Sequence, residues 1–347
     1  MTTKHGPRVL IARLSAIGDT IFTAPVACAL RDRYPGARIT WVVEEKSATF
    51  VRNHPAIDQT VVVPRGWFTS WRGLRAVRAE LRRCGPFDAA VDAQGMTKSA
   101  VACWLSGAPM RIGLLGEHGR ELSPWLNNRL VRPEHTHITD RSLELLGPLG
   151  IHRPQVRWDL PDDESAERTI GTLVRGSYPT GYAVVNPGAT WESKLWETNR
   201  FGQVAAELGR RRTLRTLVVW AGDREREAAG EVVAASDGWA KVAPPTSLME
   251  LAALLRRASV VLSADTGPLH LATAVGAPAV GLYGPTRPED CGPYGDRAIA
   301  LQSRYQSGTR RERRRAGNDA MREITAEQVV AACEKLLDAA PASRLVA

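Results

Sequence analysis

Long apolar runs are missing from this 347-residue chain. No segment approaches the roughly 18–20 unbroken apolar residues of a membrane-spanning helix, so no helical span is expected. The opening, "MTTKHGPRVLIARL", lacks the apolar core of a secretory signal, and a cytoplasmic location is the expectation. The five cysteines, Cys28, Cys84, Cys103, Cys291 and Cys333, are odd in number, scattered and free of CxxC spacing. They read as reduced, mostly buried thiols and not as a zinc site or a disulfide set. Nothing resembles a helix-turn-helix, an RRM or a zinc finger, so nucleic acid is not expected as a partner. No short-period repeat is present either.

Positive charge, by contrast, is plentiful. The net charge of +9 draws polyanions such as acidic lipid or phosphorylated small molecules. Its densest run, "GTRRERRRAGND" (308–319), reads either as a solvated loop or as a contact for an anionic membrane surface or substrate. The length favours two domains, and two series of short apolar runs alternate with helical patterns, as parallel α/β sheets do. Strands are expected at "RVLIARL" (8–14), "RITWVVEE" (38–45), "QTVVVP" (59–64) and "DAAVDA" (88–93). A second set follows at "GYAVVNPG" (181–188), "RTLVVWAG" (215–222), "SVVLSAD" (259–265) and "PAVGLYGP" (278–285). Between the sets the polar, proline-bearing stretch 151–180 is expected to hold the linker, with a short helix from Glu164. A helix starting at Thr20 would place Pro25 early, where a missing amide hydrogen costs little. "LMELAALLRR" (248–257) and "TAEQVVAACEKLLDAA" (325–340) read as helices, the latter with a Thr325/Gln328 capping box. Two α/β units facing each other would leave a cleft at the carboxyl ends of their strands, where open sheets bind ligands.

The polar motifs fall on loops that follow strands. In "SADTGPLHLATAVGAP" (263–278) the strand ends at Asp265, Thr266 is placed to cap, Gly267 allows close backbone approach, and His270 lies in the first turn. Such a helix start is an anion site, or simply a well-capped helix. "NPGATWESKLWE" (186–197) carries Thr190 and Lys194, a compact cation suited to phosphate oxygens. In "WAGDRERE" (220–227), Glu225 is either a sugar-hydroxyl acceptor or a solvated acid. The turn "SAIGD" (15–19) has neither GxGxxG nor GxxxxGK[ST]. Its Asp19 would repel a diphosphate, which suits a general base acting on a neutral hydroxyl, or else an N-cap. "DAQGMTKSA" (92–100) offers Gln94 and Lys98, while Arg120, His135, His137 and Arg141 gather basic groups further on.

Taken together, these motifs resemble the lipopolysaccharide heptosyltransferases, family 9 of the glycosyltransferases. The similarity runs from "RVLIARLSAIGDTIFTAPV" through "SVVLSADTGPLHLATAVGAPAVGLYGPT" to "REITAEQVV", and "WVVEE" and "DAQGMTKSA" look closer to the heptosyltransferase I branch. The resemblance implies a GT-B fold, with an acceptor-binding Rossmann-like domain over 1–165 and a nucleotide-sugar-binding one over 166–324. The final segment, 325–347, would cross back to the first. It implies transfer of L-glycero-D-manno-heptose from ADP-heptose to the Kdo–lipid A inner core, with inversion, no cofactor and no obligatory metal, at the cytoplasmic membrane face. Asp19 matches the catalytic base. Thr190, Lys194, Glu225, Asp265, Thr266, Gly267 and His270 match donor contacts, and Gln94, Lys98, Arg120 and His137 the acceptor side. Another nucleotide sugar or acceptor, or a binding protein without transfer, are the alternatives. Two departures touch the acceptor: the cysteines many relatives carry after the last strand are replaced by arginines, and the loop after "VVVPRGW" (61–67) differs.

Overall fold

The computed structural model describes residues 6–339. The first five residues, and the part of the expected final segment from 340 to 347, lie outside them. The chain forms two compact units, divided between Pro161 and Asp162. Among the described residues no helix is long and apolar enough to cross a membrane.

The first unit is a six-stranded parallel sheet of β1 (Arg8–Ala12), β2 (Arg38–Glu44), β3 (Gln59–Val63), β4 (Ala89–Asp92), β5 (Met110–Leu114) and β6 (Arg129–Val131), ordered β3-β2-β1-β4-β5-β6. Helices cover both faces, so its central strands are nearly continuous apolar runs. Val9, Ile11, Ile39 and Trp41 meet Val26, Ala27 and Leu30 of the helix Ile17–Arg33. The alternate residues Leu10, Ala12 and Val42 meet Val77 and Leu81 of Trp71–Cys84 and Ala102 and Cys103 of Thr97–Leu105. The first helix starts three residues before the expected Thr20, which moves Pro25 from its early turns into its interior. Residues 20–30 are buried throughout, so tertiary packing offsets the lost backbone hydrogen bond.

The second unit repeats the plan with β7 (Tyr182–Asn186), β8 (Arg215–Val218), β9 (Ala240–Val242), β10 (Val260–Ala264), β11 (Ala279–Leu282) and β12 (Ala298–Leu301). All pair parallel, in the order β12-β11-β10-β7-β8-β9. The helix Glu164–Val174 belongs here: its Glu167 pairs with Arg256 and Arg257 at the end of Leu248–Arg257. The helix Ala326–Asp338 begins with the expected reciprocal bonds between Thr325 and Gln328. Val329, Val330, Cys333 and Leu336 are buried in the core of the second unit with Phe201, Val204 and Val280, and that apolar face is thereby used up.

Candidate active site

In each sheet the strand order reverses direction once, between β1 and β4 in the first unit and between β7 and β10 in the second. Loops leaving the carboxyl ends of two such strands diverge to opposite faces and open a crevice. Most of the sequence-predicted residues hang from these four strands.

In the first unit the chain beyond β1 carries Arg13, Ser15 and Asp19. Arg13 is buried; its guanidinium donates to the Ala93 carbonyl at 2.5 Å and meets Asp19 Oδ2 at 3.0 Å. The same Oδ2 accepts the Ala16 amide at 3.2 Å, so Asp19 serves the helix as its third residue and not as the N-cap. The carboxylate is 42 % exposed, and Oδ1 has no partner among the described residues. Gln94 is buried, accepting the Leu14 amide at 2.9 Å and thereby tying the end of β4 to that of β1. Lys98 Nζ reaches Ser15 Oγ and Glu44 Oε1, each at 2.6 Å. Gly95 has φ +65°, and a Cβ there would lie 2.2 Å from the His118 carbonyl, so only glycine lets the 116–120 loop close over β4. That approach lets the Gly95 carbonyl accept the Arg120 amide at 2.9 Å, while the Arg120 side chain stays exposed. His137 lies against the helix that carries Asp19: its Nδ1 accepts the Thr139 amide, which caps Ile138–Glu144, and its ring packs edge-on against Phe22 at 5.5 Å.

In the second unit Asp265, at the end of β10, is buried. Lys194 Nζ donates to its Oδ2 at 2.5 Å and to its carbonyl at 3.1 Å, and His270 Nε2 meets Oδ1 at 3.1 Å. Burial alone would raise this carboxyl; the His270 hydrogen bond and the Lys194 ammonium outweigh it and hold the carboxylate below its ordinary range. Thr266 takes the N-cap position of the helix Gly267–Ala274 without capping it. Its hydroxyl instead meets Ser263 Oγ at 2.9 Å and accepts from Asn186 Nδ2 at 3.1 Å. Pro268 has no N–H, and the Leu269 and His270 amides already donate to the Thr266 carbonyl at 3.1 and 3.3 Å, so in the first turn the Gly267 amide is the one left for another acceptor; a Cβ on Gly267 would meet nothing within 4 Å. Thr190 is exposed on the loop after β7. Glu225 accepts the Ala221 amide at 2.8 Å and borders a cleft of about 300 Å³ with Gly188, Trp196 and Thr198. Gly188 makes room for it, since a Cβ there would lie 2.3 Å from the Glu225 carboxyl carbon.

Sequence reasoning missed Arg13, Glu44, Asn186 and Cys291, whose thiol points at Asp265 Oδ2 from 3.7 Å. Arg13 alone left a signal, as the one charge breaking "VLIARL". The partners of the others lie 26 to 80 positions away. Among the described residues no group of three His, Cys, Asp or Glu side chains is arranged to hold a metal ion.

Known proteins resemble this chain in sequence and fold. The family profile of glycosyltransferase family 9 (heptosyltransferase) matches residues 74–319. Lipopolysaccharide heptosyltransferase 1 of Salmonella typhimurium is 31 % identical over 86 % of this chain and 95 % of its own length. The Escherichia coli K12 protein of that name is 29 % identical over 85 % and 93 %. Among solved structures, a family 9 glycosyltransferase from Veillonella parvula superposes with a TM-score of 0.84 at 25 % identity, covering 98 % of this chain and 99 % of its own. The E. coli heptosyltransferase WaaC with ADP-2-deoxy-2-fluoro heptose gives 0.73 at 26 % identity, covering 94 % and 99 %. The paired six-stranded sheets are those of the GT-B fold. The chain is an enzyme that belongs to glycosyltransferase family 9, the heptosyltransferases.

Proposed function

We propose that this glycosyltransferase moves a heptosyl group from ADP-L-glycero-D-manno-heptose to the Kdo–lipid A inner core of lipopolysaccharide, with inversion at the anomeric carbon. The observation that carries the mechanism is the asymmetry of Asp19. Arg13 and the Ala16 amide both engage Oδ2, which fixes the carboxylate, while the partly exposed Oδ1 is left to accept a proton. In this reading Oδ1 takes the proton of an acceptor hydroxyl as its oxygen attacks the anomeric carbon, and ADP departs from the opposite face. A positioned base contributes roughly 10²–10⁴-fold. The choice of donor is supported by the E. coli heptosyltransferase structures with ADP and with an ADP-heptose analogue.

The second unit would hold that donor. Lys194 and the open Gly267 amide face the diphosphate, and such preorganised donors are worth about 3–4 kcal/mol each in a transition state. Thr190 adds a hydroxyl, Glu225 accepts from the ribose, and Asp265 with His270 keeps Lys194 in place beside the sugar. Gln94, Lys98, Arg120 and His137 serve the acceptor side, Gln94 and His137 by shaping the loops and Arg120 by direct contact with an acidic sugar. A lipid-linked acceptor and a net charge of +9 favour peripheral contact with the cytoplasmic membrane face.

The test is incubation of the purified protein with ADP-heptose and Kdo–lipid A, read by mass spectrometry, for wild type and Asp19→Asn. Wild type adds one heptose, and D19N binds ADP as well as wild type while turnover falls at least 100-fold. Near-normal turnover by D19N overturns the base assignment, and transfer only from another nucleotide sugar overturns the donor.

A further inference from the structure

The arginine-rich segment is not a free loop. Residues Arg310–Arg315 form a short helix opened by reciprocal Thr309–Glu312 bonds. The chain on either side is laced to the second unit's site loops. Gln306 donates its amide to the Gly284 carbonyl at 3.0 Å, Gln302 reaches the Thr286 carbonyl at 2.7 Å, and Arg313 bonds the Pro285 carbonyl. Asn318, on the far side, donates to the Leu195 carbonyl at 3.0 Å, next to Lys194.

This lacing gathers cations that no carboxylate neutralises. The Arg310 guanidinium lies 6.0 Å from the Trp191 ring, the same indole that Lys194 Nζ approaches at 4.8 Å. Arg287 and Arg313 share the Tyr305 ring, at 4.5 and 5.9 Å. Among the described residues none of these three arginines has an ion-pair partner, and aromatic faces hold them. Lys194, in contrast, is already paired with the buried Asp265, so the two together bring little net charge to an anion. A nucleoside diphosphate sugar carries one negative charge on each phosphoryl group, and the departing nucleoside diphosphate gains a further one. That charge needs cations beyond the neutralised lysine.

Resting on the donor reading above, we infer that Arg310, backed by Arg287 and Arg313, is a second diphosphate contact that binds the terminal phosphoryl group and stabilises the leaving nucleotide. Planar guanidinium donors suit two oxygens of one phosphoryl group. Arg311 and Arg314, on the same helix but on neither ring, supply only general charge.

The experiment is isothermal titration of ADP and AMP into wild type, Arg310→Gln, Arg310→Lys and the double control Arg311→Gln/Arg314→Gln, with kcat and KM measured alongside. Wild type prefers ADP to AMP. R310Q weakens ADP by roughly 10- to 100-fold, as loss of a charged hydrogen bond does, while AMP affinity stays within about threefold of wild type. R310K recovers part of the ADP affinity, the control keeps all of it, and matched melting temperatures exclude misfolding. If wild type prefers ADP and R310Q keeps that preference, or loses only affinity for the acceptor, the inference is overturned and the donor reading stands. If wild type itself shows no preference for ADP, the donor reading fails with it.

Discussion

Replacing Lys194 with methionine keeps the length of the side chain, removes its ammonium and strands the Asp265 carboxylate. Asp265 is only 4 % exposed as a side chain, and Lys194 is 14 % exposed, so the lost partner is not replaced by bulk water. Breaking a buried pair from one side costs about 3–5 kcal/mol. His270 Nε2 remains on Oδ1, which places the expected loss near the lower end, about 3 kcal/mol. At 2–4 °C per kcal/mol for a unit of this size, the second unit's midpoint falls by roughly 6–12 °C. The acid dependence gives a sharper signature. In wild type the depressed Asp265 contributes stability that is complete above the ordinary carboxylate range and is lost as pH falls below it. In Lys194→Met, burial again favours the neutral acid, and protonation relieves the stranded charge. Urea denaturation at pH 7, 5.5 and 4 should therefore show the gap between variant and wild type shrinking towards pH 4. The double variant Lys194→Met/Asp265→Asn should regain most of the loss at pH 7. A gap below about 1 kcal/mol at pH 7, or one that widens on acidification, would refute the reasoning.

Gly188→Ala drives a methyl group to 2.3–2.7 Å from the Glu225 carboxylate, so that side chain must leave its place. Adenosine and ADP affinities should fall together in titration calorimetry, matching Glu225→Gln, with the fold intact by circular dichroism; unchanged nucleotide affinity would remove Glu225 from the nucleoside site. The thiols supply an independent check of the fold. Burial pushes Cys28 and Cys333 up to about 12, holds Cys103 far above its usual range, and with the Asp265 charge does the same to Cys291. Ellman's reagent at pH 8 should label native protein slowly at all five positions and unfolded protein at once, and rapid native labelling of Cys291 would contradict the closed packing around Asp265.

The eight strands legible in the sequence are mostly central ones whose two buried faces demand an unbroken apolar run. The four strands that escaped are different in kind. β6, β9 and β12 are edge strands of three or four residues, and β5 carries Arg111 in the middle of "MRIGL". An edge strand is covered on fewer sides, so its pattern blends into that of a loop. The same logic governs the site. Asp265, Thr266 and Gly267 announced themselves as a strand-to-helix junction, which is a local feature. That Lys194 neutralises Asp265, or that Lys98 spans Ser15 and Glu44, depends on residues 54 to 83 positions apart, and only the sheet order makes them neighbours. The core that receives the helix Ala326–Asp338 was hidden for a related reason. The helix's amphipathic pattern showed that a face would be buried but not which core would bury it.

The two switch points are built alike yet filled with opposite bias, and the proposed function uses that bias to divide the labour of transfer. At the first, the buried Arg13 engages one oxygen of a carboxylate and leaves the other exposed, so what is offered outward is a proton acceptor. At the second, Lys194, His270 and the Cys291 thiol close around both oxygens of Asp265, so the carboxylate offers nothing outward and the remaining groups are the Gly267 amide and unpaired arginines. A surface of that kind attracts phosphate and repels no part of it. Exchanging the roles would fail on charge alone, because an open carboxylate beside a diphosphate raises its energy, and an arginine-rich rim beside a hydroxyl removes no proton. In the proposed function the base therefore falls to the first unit and the leaving-group grip to the second, an assignment argued from which oxygen atoms each unit leaves unpaired.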